Sequence, residues 1–301
     1  MPDKLIAFLR IAAAGLLLAA NSVVHILPLL VVALVKLTIR IAAVTRACDR
    51  ALAAIAASWI DFNSWLFDSV TSTRIEVEGL PDDDMDGQML VVCNHQSWVD
   101  IPVLQKLFNR RLPLLRFFLK SQLIWVPLLG LAWWALDFPF MKRYTRAQVE
   151  RRPELAGRDI EATRRACRKF SRIPVAIVNF VEGTRFTPEK HAGQNAPYRH
   201  LLNPRAGGVA FTLDAMGETL DTLVDVTIAY PDGRPSLADL FANRVREIRV
   251  HVRRLPIPEA LRGGEYQKDP EFRQGIQDWV NRLWLDKDAI LERLQHAAGP
   301  D

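Results

Sequence analysis

The apolar positions of this 301-residue chain follow three different rhythms. From Ile11 to Val35 there are 25 residues without a formal charge, bounded by Arg10 and Lys36. As a helix, such a stretch is long enough to cross the hydrocarbon layer of a bilayer, roughly 30 Å thick. Only Asn21, Ser22, His25 and Pro28 interrupt it. The interruptions admit one tilted helix kinked near Pro28, or two short helices turning at Asn21-Ser22. A cleaved signal peptide fits less well, because no small-residue cleavage pattern follows the apolar centre. Residues 1–39 are therefore expected to anchor the chain in a membrane.

From 40 to 70 the rhythm becomes helical. Ile41, Val44, Cys48, Leu52, Ile55, Trp59, Phe62 and Leu66 fall on one side, with Arg40, Arg46, Arg50 and Asp61 mostly away from it. This predicts an amphipathic helix at the membrane surface, and a helix packed on the following domain explains the same pattern.

Residues 71–301 alternate short apolar runs with helical stretches. The runs are Leu90–Cys93, Arg116–Leu119, Phe138–Met141, Pro174–Val181, Leu223–Ala229 and Arg246–Val252. The alternation predicts one α/β domain with a mixed, largely parallel sheet. Residues 82–87 and 189–203 read as flexible connections. Asp269-Pro270-Glu271 starts a last amphipathic helix carrying Phe272, Ile276, Trp279, Leu283, Ile290 and Leu294.

Charge adds one feature. The chain carries a formal +5, yet between Lys142 and Arg172 eleven Lys or Arg face four Asp or Glu. Such a stretch suits anionic headgroups, a phosphorylated substrate or an acidic carrier protein. Nucleic acid is disfavoured, since only Tyr144 and Phe170 fall among the basic residues of this stretch and aromatics are not regularly interleaved with them. Cys48, Cys93 and Cys167 show neither paired spacing nor an even count, which argues for a reducing compartment. The scattered histidines predict no metal site, and P-loop, GxGxxG and GxSxG patterns are missing from the sequence.

Two segments carry chemistry. Asn94-His95-Gln96-Ser97-Trp98-Val99-Asp100 follows the apolar run ending at Cys93, so it should leave the carboxyl edge of the sheet, where open sheets place their sites. An imidazole there can accept a proton near neutral pH, and a carboxylate on its other nitrogen would fix the tautomer. The plainer reading is a capped helix start beside a core histidine. Phe180-Val181-Glu182-Gly183-Thr184-Arg185-Phe186-Thr187 also follows an apolar run. Here Gly183 permits close backbone approach, Thr184 offers a hydroxyl and Arg185 a planar fork for phosphate oxygens. Glu182 could hold Arg185 or contact a substrate hydroxyl.

NHQSWVD, with FVEGTRFT about 85 residues downstream, resembles the first and third motifs of the glycerolipid acyltransferases, the lysophosphatidic acid acyltransferases and their relatives. Between them, Phe118–Leu123, Val126–Gly130 and Phe140–Arg143 resemble the second motif region, and Asp225–Pro231 is similar to the fourth. Val181 and Phe186 depart from the commonest bacterial pattern, which has proline and serine there. The EGTRFT form looks more like the branch that includes lysocardiolipin and related lysophospholipid acyltransferases.

The resemblance implies transfer of a fatty acyl group from a thioester to the free hydroxyl of a lysophospholipid, without an acyl-enzyme. 1-Acyl-glycerol-3-phosphate, giving phosphatidic acid, is the first choice of acceptor; lysophosphatidylglycerol or lysocardiolipin is the alternative. His95 would be the general base and Asp100 its orienting acid. Asn94, Ser97, Lys120, Arg143, Glu182, Gly183, Thr184 and Arg185 would bind substrate. The donor would be acyl-CoA or acyl carrier protein, with no cofactor, no metal and no nucleic acid. The expected place is a bacterial inner membrane with the catalytic domain facing the cytoplasm. A thioesterase and a non-catalytic, membrane-anchored lipid-binding or carrier-binding protein are the rival readings.

Overall fold

The computed structural model describes residues 2–81, 85–141, 151, 170, 174–217, 219–264, 266 and 269–296. The uncharged stretch folds as one helix, α1 (Pro2–Thr38), which continues past Pro28. Within it Lys4–Thr38 has the length and apolarity needed to cross a bilayer. The expected alternative of a turn at Asn21-Ser22 is overturned. Asn21 is buried and its Nδ2 donates to the Trp59 carbonyl at 3.1 Å and to Asn63 Oδ1 at 2.8 Å. Both acceptors lie on α2 (Ala42–Val70), which doubles back along α1. Trp59 Nε1 donates to Ser22 Oγ, and His25 Nε2 meets Ser58 Oγ at 3.1 Å. Polar side chains that find partners across a helix pair need no break in the helix.

α2 buries Cys48, Leu52, Ala56, Ile60, Leu66 and Phe67, while Trp65 stays exposed. Lys36 closes the turn between the two helices, with Asp49 at 2.7 Å and Asp137 at 3.0 Å.

The domain that follows runs β1 (Arg74–Glu78), β2 (Gln88–Cys93), α3 (Asp100–Phe108), β3 (Leu115–Phe117), β4 (Leu119–Lys120), α4 (Leu129–Ala135), β5 (Phe140–Met141) and β6 (Val175–Phe180). It continues with α5 (Pro188–Ala192), α6 (Gly207–Met216), β7 (Thr222–Ala229), α7 (Leu237–Phe241), β8 (Glu247–Pro256) and α8 (Pro270–His296). The main sheet has the order β1-β8-β7-β2-β6-β3, and only the β7–β8 pairing is antiparallel. The sequence run 116–119 splits into β3 and β4, and β4 pairs with β5 in a separate two-stranded sheet. β1 lay outside the expected runs, because Ile75 and Val77 alternate with Glu76 and Glu78 on an edge strand.

β2 sits near the centre and both its faces are covered. Leu90 and Val92 pack towards Val209 and Leu213 of α6 and Trp284 of α8. Met89, Val91 and Cys93 pack towards Val103, Leu104 and Phe108 of α3. This two-sided burial is why β2 reads as an unbroken apolar run.

Residues 189–203 are not the flexible connection expected. They hold most of α5, and Tyr198, Leu201 and Leu202 are buried. The backbone N–H groups of Arg199 and His200 donate to Asp288 on α8 at 2.7 and 2.8 Å, which ties the segment down. Residues 82–84 and most of the basic stretch, including Lys142 and Arg143, lie outside the described residues.

Candidate active site

The register fixes which segments meet. Cys93 pairs with Phe180 of β6 on one side and with Val226 of β7 on the other. Parallel strands ending level bring the residues after β2 and β6 to one edge, together with the chain leaving β7. β3 runs parallel to β6, so Lys120 leaves the sheet at that same edge. There it is exposed.

His95 and Asp100 meet. Nδ1 of His95 lies 2.8 Å from Asp100 Oδ2, and the imidazole is stacked on Phe180 with ring centroids 4.0 Å apart. Asp100 is fully buried at the first turn of α3, where the helix dipole favours a carboxylate. Its Oδ2 also accepts the backbone N–H groups of Gln96 at 2.8 Å and Ser97 at 2.9 Å. Its Oδ1 accepts the Tyr230 hydroxyl at 2.6 Å. A carboxylate so surrounded is an acceptor for His95 Nδ1–H, and in the neutral imidazole that tautomer makes Nε2 the accepting nitrogen. His95 retains 13 % side-chain exposure, so Nε2 is reachable while its partner is sealed.

Tyr230 follows β7 and has no role assigned by the sequence reading. Burial pushes its phenol well above the ordinary tyrosine range, and the adjacent Asp100 carboxylate adds to this. It therefore acts as a donor. Its signal was its position, one residue past an apolar run that ends at the same edge.

Three expected substrate contacts are engaged inside the fold. Asn94 extends the β2–β7 ladder with its side chain: Nδ2 donates to the Ile228 carbonyl and Oδ1 accepts the Ile228 N–H, both at 2.9 Å. Ser97 Oγ donates to the Pro235 carbonyl and accepts the Val99 N–H, so it braces the turn. Glu182 does not reach Arg185. Its two oxygens accept the backbone N–H of His95 at 3.0 Å and of Leu202 at 3.2 Å. Buried without a cationic partner, Glu182 has its pKa raised to about 8, the burial outweighing the two backbone bonds. These side chains hold His95 in place, and their polar atoms are spent doing so.

Gly183, Thr184 and Arg185 of the second segment are partly exposed, between the buried Val181 and Phe186. Gly183 adopts φ +70°, a left-handed conformation that lets the chain turn after β6. Lys190 Nζ donates to Thr184 Oγ1 and to the Arg185 carbonyl, both at 2.8 Å. The Arg185 guanidinium lies 4.3 Å from the ring centroid of Trp98, a half-exposed side chain. Among the described residues it makes no hydrogen bond, so its fork is available to a ligand. Arg143 lies outside the described residues.

An apolar cavity of about 200 Å³ opens under this edge. Ile26, Ala56, Ile101, Phe117, Ala132 and Phe138 are among its walls, drawn from both the helix pair and the domain. Phe117 stacks on Phe180 at 6.0 Å, and Phe180 carries the ring of His95. Among the described residues, no group of acidic, histidine and cysteine side chains could hold a metal ion.

Residues 74–230, just over half of the chain, match the model of the Acyltransferase family. The chain belongs to that family. It is 27% identical over 254 residues to lysocardiolipin acyltransferase 1 of Gallus gallus, covering 79% of this chain and 62% of that protein. It is 26% identical over 249 residues to a probable 1-acyl-sn-glycerol-3-phosphate acyltransferase 5 of Arabidopsis thaliana, covering 78% and 60%. The chain thus spans about 60% of the length of these relatives. In fold, the chain resembles the crystal structure of the 1-acyl-sn-glycerophosphate (LPA) acyltransferase PlsC of Thermotoga maritima, with TM-score 0.56 and 16% identity. That match covers 98% of this chain and 100% of the other.

Proposed function

We propose that this acyltransferase is membrane-associated and moves a fatty acyl group from an acyl thioester to the free hydroxyl of a lysophospholipid, with His95 as general base. The observation that carries the reading is the His95 Nδ1–Asp100 Oδ2 contact at 2.8 Å, with Nε2 left open on a partly exposed ring. Nε2 takes the proton of the acceptor hydroxyl as its oxygen attacks the thioester carbonyl. The tetrahedral intermediate collapses, the C–S bond breaks, and the leaving thiolate takes the proton back from the imidazolium. The thioester is already activated, so no enzyme nucleophile is needed.

Arg185 binds the acceptor phosphate, joined by Lys120 and Arg143. The apolar cavity takes the fatty acyl chain. 1-Acyl-glycerol-3-phosphate is the first choice of acceptor, and lysocardiolipin or lysophosphatidylglycerol the second. The names of the two relatives support both classes. Acyl-CoA or acyl carrier protein is the donor. α1 and α2 hold the domain against the bilayer, where acceptor and product reside. The membrane is the bacterial inner membrane, with the site on its cytoplasmic side.

The test uses purified full-length protein in detergent, labelled acyl-CoA and a panel of lysophospholipids. His95→Ala and Asp100→Ala should each remain folded and lose acyl transfer. Near-normal turnover in either variant overturns the assignment. Release of free fatty acid with no acceptor present would indicate a thioesterase.

A further inference from the structure

A second arginine is built into the turn that carries His95. Arg234 follows β7, and its guanidinium carbon lies 3.9 Å from the ring centroid of Phe186. Its Nε donates to Gln96 Oε1. Both supports are fixed. Phe186 is buried, and its backbone N–H donates to the His95 carbonyl at 2.8 Å. Gln96 is the next residue after His95, is itself buried, and donates through Nε2 to the His200 carbonyl at 3.3 Å. One face and Nε of the guanidinium are thus occupied, and its two terminal nitrogens have no partner among the described residues.

Arg234 lines a polar cavity of about 400 Å³, together with Gln96, His200, Tyr230, Gly233 and His296. No aspartate or glutamate is among its lining residues. Glu292, which pairs with His200 and His296 behind it, is already bonded to Arg199 at 2.8 Å. The cavity is therefore suited to an anion. Arg185 rests on Trp98 and Arg234 on Phe186, and Arg185 is not among the residues lining this cavity.

We propose that Arg234 and this cavity form a second phosphate-binding site beside His95, separate from Arg185. Its ligand is a phosphate group of a substrate: the headgroup of the lysolipid acceptor, or a phosphate of the CoA-linked or carrier-linked donor. The substrates named rest on the acyltransferase reading above, whereas the binding itself can be measured without turnover.

The experiment uses full-length protein in detergent as wild type, Arg234→Gln and Arg234→Lys. One arm measures apparent KM for lysophosphatidic acid and for palmitoyl-CoA separately. The other measures equilibrium binding of lysophosphatidic acid alone and of free CoA alone. Loss of a charge-assisted contact should weaken one ligand by roughly ten- to a hundredfold in Arg234→Gln, with kcat within about twofold and partial recovery in Arg234→Lys. The ligand that weakens in both arms identifies the source of the phosphate. Unchanged KM and affinity for both ligands, or a fall in kcat alone, overturns the proposal. If the wild type transfers no acyl group, the acyltransferase reading fails, and the binding arm still decides the site.

Discussion

The hydroxyl of Tyr230 donates to Asp100 Oδ1 at 2.6 Å, on the side of the carboxylate opposite His95. Tyr230 thereby sets the plane in which Asp100 meets the imidazole, although it sits 130 residues further along the chain. Tyr230→Phe removes one donor and leaves a buried carboxylate oxygen unpaired, a cost of about 1–3 kcal/mol. The variant should fold, unfold at a lower temperature, and lose roughly tenfold in kcat with the acceptor KM little changed. A wild-type kcat in Tyr230→Phe would show that the other donors to Asp100 hold it alone.

Glu182 gives a pH signature. Its carboxyl is raised to about 8 in the folded state, above the ordinary value of 4.5, so the folded chain binds more protons than the unfolded chain between those values. Stability from this group is fully present below about pH 4.5 and is lost as pH rises through 8. Glu182→Gln removes the titration and turns one acceptor into a donor facing a backbone N–H, at a cost of about 1–3 kcal/mol. Melting temperatures from pH 5 to 8.5 should show the wild type losing stability relative to Glu182→Gln as pH rises. The opposite slope would sink the assignment.

The legible part of this site was its position. Two apolar runs, each followed by chemically versatile residues, placed His95 and Arg185 at one sheet edge, and the sheet itself followed from the alternation of runs and helices. The illegible part was the use made of each polar atom. Glu182 looked like a partner for Arg185 because the two are three residues apart, yet burial turned it towards the N–H groups of His95 and Leu202. Asn21 looked like a break because its acceptors lie 38 and 42 residues away, on a helix whose direction the sequence does not state. Local patterns report which face of an element is buried; they do not report the partner across the gap.

The apolar cavity should behave as the measure of the acyl chain. Ala132 is buried on its wall, where α4 meets α1 and α2. Ala132→Leu adds three methylene-sized groups to that space, at an overpacking cost of about 1–3 kcal/mol if the chain is kept. Product analysis with a mixture of acyl-CoA lengths should show a shift towards shorter chains, while turnover of the preferred length stays near wild type. An unchanged product profile would place the acyl chain elsewhere.

Lys287 shows how much the last helix depends on one buried contact. It is fully buried on α8, with Nζ 2.5 Å from Asp225 Oδ1 and donating to the Val226 carbonyl at 2.6 Å. Asp225 is equally buried and also accepts from Arg253. Lys287→Met keeps most of the volume and leaves Asp225 Oδ1 without its cation while Arg253 still holds Oδ2, a cost of about 2–4 kcal/mol, below that of a carboxylate left wholly unpaired. The exposed pair Arg293–Glu78, which ties the same helix to β1, is the control: Arg293→Ala should cost about 0–1 kcal/mol. Denaturant unfolding of both variants tests the contrast. Because Asp288 and Glu292 of α8 hold the segment whose Leu202 N–H reaches Glu182, Lys287→Met should also lower acyl transfer below what Arg293→Ala does. Equal losses of stability would mean that α8 is held by its apolar face, through Trp279, Leu283 and Trp284, and that the buried pair adds nothing.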